Sequence, residues 1–311
     1  MRILFNASQC GLGNNGGSRT IIRTAEALNK CGVEEDIYAV VDNYTLHNHT
    51  ANIINTPNFS IYTDIVCVSV WDVTSTIELQ RQHKYNNCVW WVRGWETWVS
   101  GEQQFINKLI HFRGCGGKFF ANSTHIKDKC ANVGIDAELL IAGVDHDLWG
   151  IDNKTRDRSY VGCLVHKRFK CKRGDDAIDM IRYAGLKPMI LHSDAGYDPV
   201  RMRKLYNDCS IWLHLSQCDG FANTPIEAAL CGCHIITTAD SVGVIDYVNN
   251  NTADIALDDR GVITLLRNQT VANKLHKSIA MLDKLYSGSY GRDSCVHRLY
   301  GLLGRKIRIL K

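Results

Sequence analysis

The sequence predicts an α/β protein built from two similar domains, and three observations carry that expectation. Short runs rich in Val and Ile alternate with segments whose apolar residues recur at helical spacing. The alternation runs once, breaks in a polar stretch and starts again. At 311 residues the chain also exceeds the size at which one core usually keeps growing, so two domains of about 150 residues are expected.

The first series opens with a strand at residues 3–5 and a Gly-rich turn. A helix follows that places Ile21, Ile22, Ala25 and Leu28 on one face. Further strands are predicted at 37–41, 65–70, 88–92 and 118–121, with a helix over 103–112. Their continuous apolar character suits parallel strands covered on both faces. The second series begins with a strand at 161–165, a helix at 175–183, a strand at 189–192, a helix at 199–207 and a strand at 211–215. A helix from Pro225, a strand at 234–238, a turn and short helix at 242–248 and a long helix at 271–286 complete it. A last helix at 293–303 has no strand left to serve, and is expected to cross back to the first domain. The boundary is placed in the polar stretch GIDNKTRDRS at 150–159. This gives a first domain at 1–155, a second at 156–290, and a returning helix and tail at 291–311.

Composition narrows the function. With 36 Lys and Arg against 32 Asp and Glu, the net charge of +4 is too small for the broad basic surface of a dedicated nucleic-acid binder. Local basic patches stand at HKRFKCKR, 166–173, and GRKIRILK, 304–311. No run approaches the roughly eighteen apolar residues of a membrane span, and the apolar part of MRILFNAS is too short for a signal-peptide core. The 13 cysteines are odd in number and scattered through a chain large enough to need no cross-links. Most of them read as small buried residues in a reducing compartment, so the expected location is the cytoplasm, and no metal site is expected.

Ligands of open α/β sheets bind beyond the carboxyl ends of the strands. The loop after the first strand, QCGLGNNGGSR at 9–19, holds Gly11, Gly13, Gly16 and Gly17 just before a helix. Its glycines allow an anion close to helix-terminal amides, although a tight turn explains them too. The loop lacks the Lys and Ser/Thr of a Walker loop and departs from G-x-G-x-x-G, which argues against a dinucleotide-dependent oxidoreductase. In QCDGFANTPIEAALCG, 217–232, Thr224 reads as an N-cap, Pro225 as the first helical residue and Glu227 as the acid of a capping box. That box leaves Asp219, Phe221 and Asn223 unexplained. In CVWWVRGWETW, 88–98, a core strand explains Trp90, while the polar residues beyond it suit an acceptor platform made of Trp95, Arg93 and Glu96, with His125 as a further candidate.

The run DGFANTPIE at 219–227 resembles the acidic-x7-Glu signature of retaining glycosyltransferases of the GT-B fold. This is the large family (glycosyltransferase family 4-like, glycosyl transferases group 1) that includes sucrose synthases and many lipopolysaccharide and mannosyl transferases. Asp219 stands where that family usually has Glu, and Ala222 where it has Gly. IAGVDHDLW at 141–149 resembles the end of the family's first domain, with Gly143, Val144 and Asp145 in register. YVGCLVHKRFKCKRGDDAID at 160–179 resembles the start of its donor domain: Gly162 matches, Cys163 replaces a common Arg, and Arg173 with Gly174 matches a Lys-Gly pair. SVGVIDYVNNNTADI at 241–255 and the tail YGRDSCVHRLYGLL also fit, with Asp246 where Glu is usual, so the resemblance spans nearly the whole chain except 43–118.

The resemblance implies two Rossmann-like domains facing across a cleft. It implies transfer of a sugar, with retention, from a UDP- or GDP-sugar to a hydroxyl of a saccharide, glycan or glycoconjugate. Asp219, Arg173 and Glu227 would be the catalytic set, Asp219 facing the transferred sugar and Glu227 holding the ribose. Lys167, Arg173, the Phe221, Ala222, Asn223 and Thr224 backbone, and Gly13, Gly16 and Gly17 would hold the diphosphate, with no metal and no cofactor. The departures at Asp219, Ala222 and Cys163 motivate one alternative, a non-catalytic nucleotide-sugar or carbohydrate binding module. The first domain shows no clear amphipathic membrane helix, which favours a soluble saccharide acceptor and leaves room for peripheral membrane contact.

Overall fold

The structure is a computed structural model that describes residues 2–99, 101–152, 160–268, 271–287 and 290–304. Most of the predicted boundary stretch, 153–159, and the basic tail from 305 lie outside the described residues. The chain forms two compact units. The first holds the described residues up to Gly143 together with those from Arg292 onward, and the second runs from Val144 to Gly291.

In the first unit the elements are β1 (Arg2–Asn6), α1 (Gly16–Lys30), β2 (Glu34–Tyr38), β3 (Ile53–Ile54), β4 (Asp64–Cys67), α2 (Val73–His83), β5 (Asn87–Val92), α3 (Glu102–Gly114), β6 (Lys118–Ala121), α4 (Thr124–Asn132) and β7 (Glu138–Leu139). Among the described residues they form a seven-stranded parallel sheet of order β3-β2-β1-β4-β5-β6-β7. Helix α1 forms where its apolar stripe predicts: Ile21, Ile22, Ala25 and Leu28 are buried, Asn15 caps it by accepting from the Ser18 N–H, and Lys30 closes its last turn. Strand β2 departs from expectation. It ends at Tyr38, leaving Val40 and Val41 exposed, and buries Glu35 and Asp36 instead. Asp36 is held by Arg2 Nε at 2.7 Å and by the Tyr62 hydroxyl at 2.8 Å. Strand β4 stops at Cys67 because Ser69 caps a short 3-10 turn, Val70–Asp72.

The second unit contains β8 (Tyr160–Val165), α5 (Gly174–Tyr183), β9 (Lys187–His192), α6 (Pro199–Asp208), β10 (Cys209–His214), α7 (Asn223–Leu230), β11 (His234–Thr238), β12 (Asp254–Ala256), α8 (Asp259–Arg267) and α9 (Val271–Tyr286). Its five described strands are parallel, in the order β12-β11-β10-β8-β9. Asp198 caps α6 with Pro199 in its first turn, and Asp258 caps α8, a helix the sequence reading missed. Residues 242–248 form turns rather than the predicted short helix. Helix α10 (Arg292–Leu302) belongs to the first unit, where Arg292 Nη1 reaches Thr24 Oγ1 at 3.4 Å and the Leu303 carbonyl accepts from Asn87 Nδ2 at 3.3 Å.

The predicted capping box at Thr224 does not form. Helix α7 starts earlier, after Ala222, which offers no side-chain cap, so Thr224 and Pro225 both lie in the first turn. Proline is tolerated there because first-turn amides have no intrahelical acceptor. Among the described residues no helix is long and apolar enough to cross a membrane.

Each sheet reverses its strand order beside its first strand: β1 lies between β2 and β4, and β8 lies between β9 and β10. The loops after β8 and β10, and those after β1 and β4, therefore flank the switch points where open α/β sheets place their ligands.

Candidate functional site

In the second unit the two switch-point loops run side by side. The loop after β8 ends in a 3-10 turn, Lys170–Lys172, and the chain then enters α5 through Arg173, whose φ of 52° lies in the left-handed region. Gly174 must be glycine, since a Cβ there would meet the Leu164 carbonyl oxygen at 2.5 Å. The loop after β10 carries Gln217, Cys218 and Asp219 toward α7. Its Gln217 N–H donates to the Cys171 carbonyl at 2.9 Å. Cys171 and Cys218 form a disulfide, with Cα atoms 5.8 Å apart, and the next residue of each loop meets its opposite: Lys172 Nζ pairs with Asp219 Oδ1.

The disulfide departs from the expectation that a chain of this size carries no cross-links. The other described cysteines are free and most are buried. The cysteine count therefore no longer argues for a reducing compartment.

The two cations singled out from sequence for the phosphates have carboxylate partners of their own. Arg173 gives Nε to Asp176 at 2.8 Å and Nη2 to both oxygens of Asp259 at 2.7 and 2.8 Å. The bond to Asp259 does most to raise its pKa. Arg173 lines a pocket of 460 Å³ with Thr238, Asp240 and Leu257, beyond the ends of β11 and β12. Lys167 is exposed and paired with Asp194. Neither of the two reaches Asp219 as Lys172 does. A sequence signal existed in the matched dipeptides Cys171-Lys172 and Cys218-Asp219, which carry opposite charge beside a cysteine.

Asp219 is mostly buried, with 16% of its side chain exposed. Burial pushes its pKa up, but the Lys172 ammonium, His214 and hydrogen bonds outweigh that and hold the carboxyl below its usual range. Burial likewise pushes the His214 pKa down. Nε2 of His214 lies 3.2 Å from the Val242 carbonyl, which can only accept, so Nε2 carries the proton. Beneath Asp219 runs Gly243 at φ 81°, where a Cβ would come within 2.5 Å of the Asp219 Cβ. The Gly243 carbonyl accepts from the Ala222 N–H at 2.8 Å, fixing the approach to α7.

Phe221 and Ala222 are buried. Phe221 packs edge-on against Tyr247 with ring centres 5.6 Å apart, and the Tyr247 hydroxyl donates to the Ala222 carbonyl at 2.8 Å. Asn223 and Thr224 are half-buried and open α7, whose first-turn amides carry its positive dipole end. Glu227 is buried, and its Oε2 accepts from the Tyr206 hydroxyl at 2.9 Å.

The rim of the first unit is tied up more tightly. Gly13 donates its N–H to Ser18 Oγ at 3.0 Å, while Gly16 and Gly17 are the first residues of α1. Arg93, a candidate acceptor contact, instead gives Nη1 to the Gly17 carbonyl at 2.6 Å, and Nη2 and Nε to the Val68 carbonyl at 2.6 and 3.0 Å. Glu96 accepts from the Val70 N–H at 2.8 Å and the Ser69 hydroxyl at 3.3 Å, and burial pushes its pKa up. Asp72 accepts from the Gln9 N–H at 2.7 Å. Arg93 and Glu96 thus tie the loop after β5 to the loop after β4 and to the first turn of α1. Trp95 packs on Phe105, donates to Glu102 at 3.2 Å and has the Lys129 ammonium over its ring, and His125 is half-buried at the start of α4. The exposed tryptophans of this rim are Trp71 and Trp98, at 54% and 52%; neither was a candidate.

The fold has known counterparts although the sequence does not: no family model and no curated protein matches the chain. HepE from Anabaena, solved with UDP and glucose, superposes with a TM-score of 0.80 over 98% of this chain and 99% of its own, at 13% identity. A sucrose-phosphate synthase from Thermosynechococcus elongatus gives 0.75 over 97% and 98% at 11% identity. A glycosyltransferase from Rickettsia africae gives 0.71 over 97% of each chain at 14% identity. The chain therefore has the α/β fold of these GT-B structures, and identities this low speak for fold alone.

Proposed function

We propose that this chain is a glycosyltransferase that moves a sugar from a nucleotide diphosphate sugar to a hydroxyl of a saccharide or glycoconjugate, with retention of configuration. The observation that carries the reading is the Lys172–Asp219 pair beside the open end of α7, at the switch point of the second sheet. UDP is the first nucleotide to try, because HepE, whose fold this chain shares, was solved with it.

In this mechanism the incoming diphosphate draws the Lys172 ammonium away from Asp219, and the α7 amides at Asn223 and Thr224 take a second phosphate oxygen. These groups stabilise the charge that builds on the leaving phosphate as the glycosidic C–O bond breaks, the role a metal ion fills elsewhere. Asp219, released from its partner, accepts hydrogen bonds from the sugar hydroxyls. The acceptor oxygen attacks from the face the phosphate leaves, and the departing phosphate oxygen takes the acceptor proton. No protein nucleophile is needed, and configuration is kept. Glu227 is assigned to the ribose, in exchange for its bond from Tyr206. The exposed faces of Trp71 and Trp98 offer apolar surface to an acceptor sugar.

The test is a panel of UDP- and GDP-sugars assayed for release of free nucleotide, with binding followed by titration calorimetry. Turnover of one donor, lost in Asp219→Asn while nucleotide binding persists, is the expected result. Binding without any turnover would make the chain a nucleotide-sugar binding module, and absence of binding to the whole panel would remove the reading altogether.

A further inference from the structure

We propose that the Cys171–Cys218 disulfide positions Lys172 for the donor diphosphate, so that donor affinity depends on the thiol redox state of the protein. The inference rests on the nucleotide-sugar reading above. Its basis is what holds the two loops in register. They leave strands β8 and β10, their cysteines are 47 residues apart in sequence, and three contacts join them in consecutive register: the Gln217–Cys171 backbone hydrogen bond, the disulfide and the Lys172–Asp219 ion pair.

On the far side of Lys172 the chain is held by Arg173, which bonds Asp176 and Asp259, and on the near side the disulfide is the tie to the loop after β10. The 3-10 turn of Lys172 has no buried residue and no side-chain cap. Lys167, Arg168, Lys170, Lys172 and Arg173 crowd positive charge into one short segment and repel one another. The ion pair is the contact that a bound diphosphate must break, since the phosphate oxygens and Asp219 compete for the same ammonium. Once it is broken, the disulfide is the covalent tie that keeps the lysine over the site. With the disulfide reduced, binding the diphosphate costs the loop its side-chain link to the loop after β10, and the fraction of molecules with Lys172 in place falls.

Cys171 and Cys218 are both half-buried, so a small dithiol can reach them. A reductant thiolate attacks one sulfur and displaces the other as a thiolate, which takes a proton. The second thiol of the reductant then resolves the mixed disulfide, leaving two cysteine thiols and the oxidised, cyclic reductant.

The experiment titrates UDP, with GDP as the second nucleotide, and the matching nucleosides into the full chain before and after dithiothreitol. If the released loop holds Lys172 in place about a tenth of the time, the diphosphate Kd rises about tenfold on reduction. Nucleoside affinity stays unchanged. Cys171→Ser with Cys218→Ser should show the reduced affinity with or without dithiothreitol, and Lys172→Ala should bind the diphosphate weakly and ignore the reductant. Equal diphosphate affinity in both redox states overturns the inference. So does a parallel loss of nucleoside binding, which would mean general loosening of the unit, or a redox effect that survives in Lys172→Ala. Failure of the oxidised protein to bind either diphosphate would instead sink the nucleotide-sugar reading on which the inference stands.

Discussion

At the rim of the first sheet Arg93 gives its guanidinium to two backbone carbonyls, whereas at the rim of the second Lys172 gives its ammonium to a carboxylate. Carbonyls are fixed parts of the chain and cannot be displaced by a ligand, so Arg93 is committed to joining loops. A carboxylate is an anion that another anion can replace, so Lys172 is available at the cost of freeing Asp219. Two rim cations thus have partners of opposite kind, and the partner decides whether an anion can claim them. Residue type and rim position do not.

The largest test of the contrast is Arg93→Met. It keeps a long apolar stem but leaves the Val68 and Gly17 carbonyls without their donor and Glu96 without its nearby positive charge. Denaturant unfolding should show a loss of about 3 kcal/mol, while affinity for UDP in the folded protein stays the same. A stable Arg93→Met with weakened donor binding would put Arg93 in the ligand site and break the comparison.

Lys172→Met is the matching change in the second unit, with the opposite expectation. UDP binding should weaken by about 1.5 to 3 kcal/mol, the range for a charge-assisted bond, while uridine binding is unaffected. The same change at Arg173, committed to Asp176 and Asp259, should leave the UDP-to-uridine difference intact. Calorimetry on the two variants side by side distinguishes them, and a larger effect at Arg173 would favour the assignment made from sequence.

That assignment shows where sequence reasoning stops. Strands 118–121 and 234–238 were located to the residue because their apolar runs are buried as read. Strand β2 was misplaced by several residues because Glu35 and Asp36 are buried on it, and a buried charge satisfied by Arg2 and Tyr62 leaves no trace in hydropathy. That Lys172 and not its neighbour Arg173 meets Asp219 is hidden from sequence because the left-handed turn at Arg173 is not encoded by a glycine. The disulfide joins positions 47 apart, a pairing that spacing alone does not reveal. Glu227 reads in sequence as the acid of a capping box, but the helix start lies elsewhere.

Glu227→Gln sharpens that last point at a smaller scale. The Tyr206 hydroxyl can still donate to the amide oxygen, so the melting temperature should hardly move. Donor affinity should fall by about 1.5 kcal/mol if the charge grips the ribose, and uridine should be weakened as much as UDP. Loss for UDP but not for uridine would mean that Glu227 acts at the phosphates.

The smallest expected effect is a pH dependence, and it tests whether the Lys172–Asp219 pair is a real source of stability in the absence of ligand. The carboxyl of Asp219 is held below its unfolded value, about 3.9, because its ionised form meets an ammonium and a histidine despite burial. A folded-state acid with a lowered pKa binds fewer protons than the unfolded chain over the interval between the two values. Stability from this group is then fully present above the unfolded value and drains away as pH falls through the folded one. Asp219→Asn lacks the charge at every pH. Unfolding measured from pH 7 downward should therefore show a gap between wild type and Asp219→Asn that is constant to about pH 5 and narrows below about pH 4. A gap that widens on acidification would mean that the carboxyl is destabilised where it sits, held in place by the rim rather than by its lysine, and the exchange of partners proposed for donor binding would lose its physical basis.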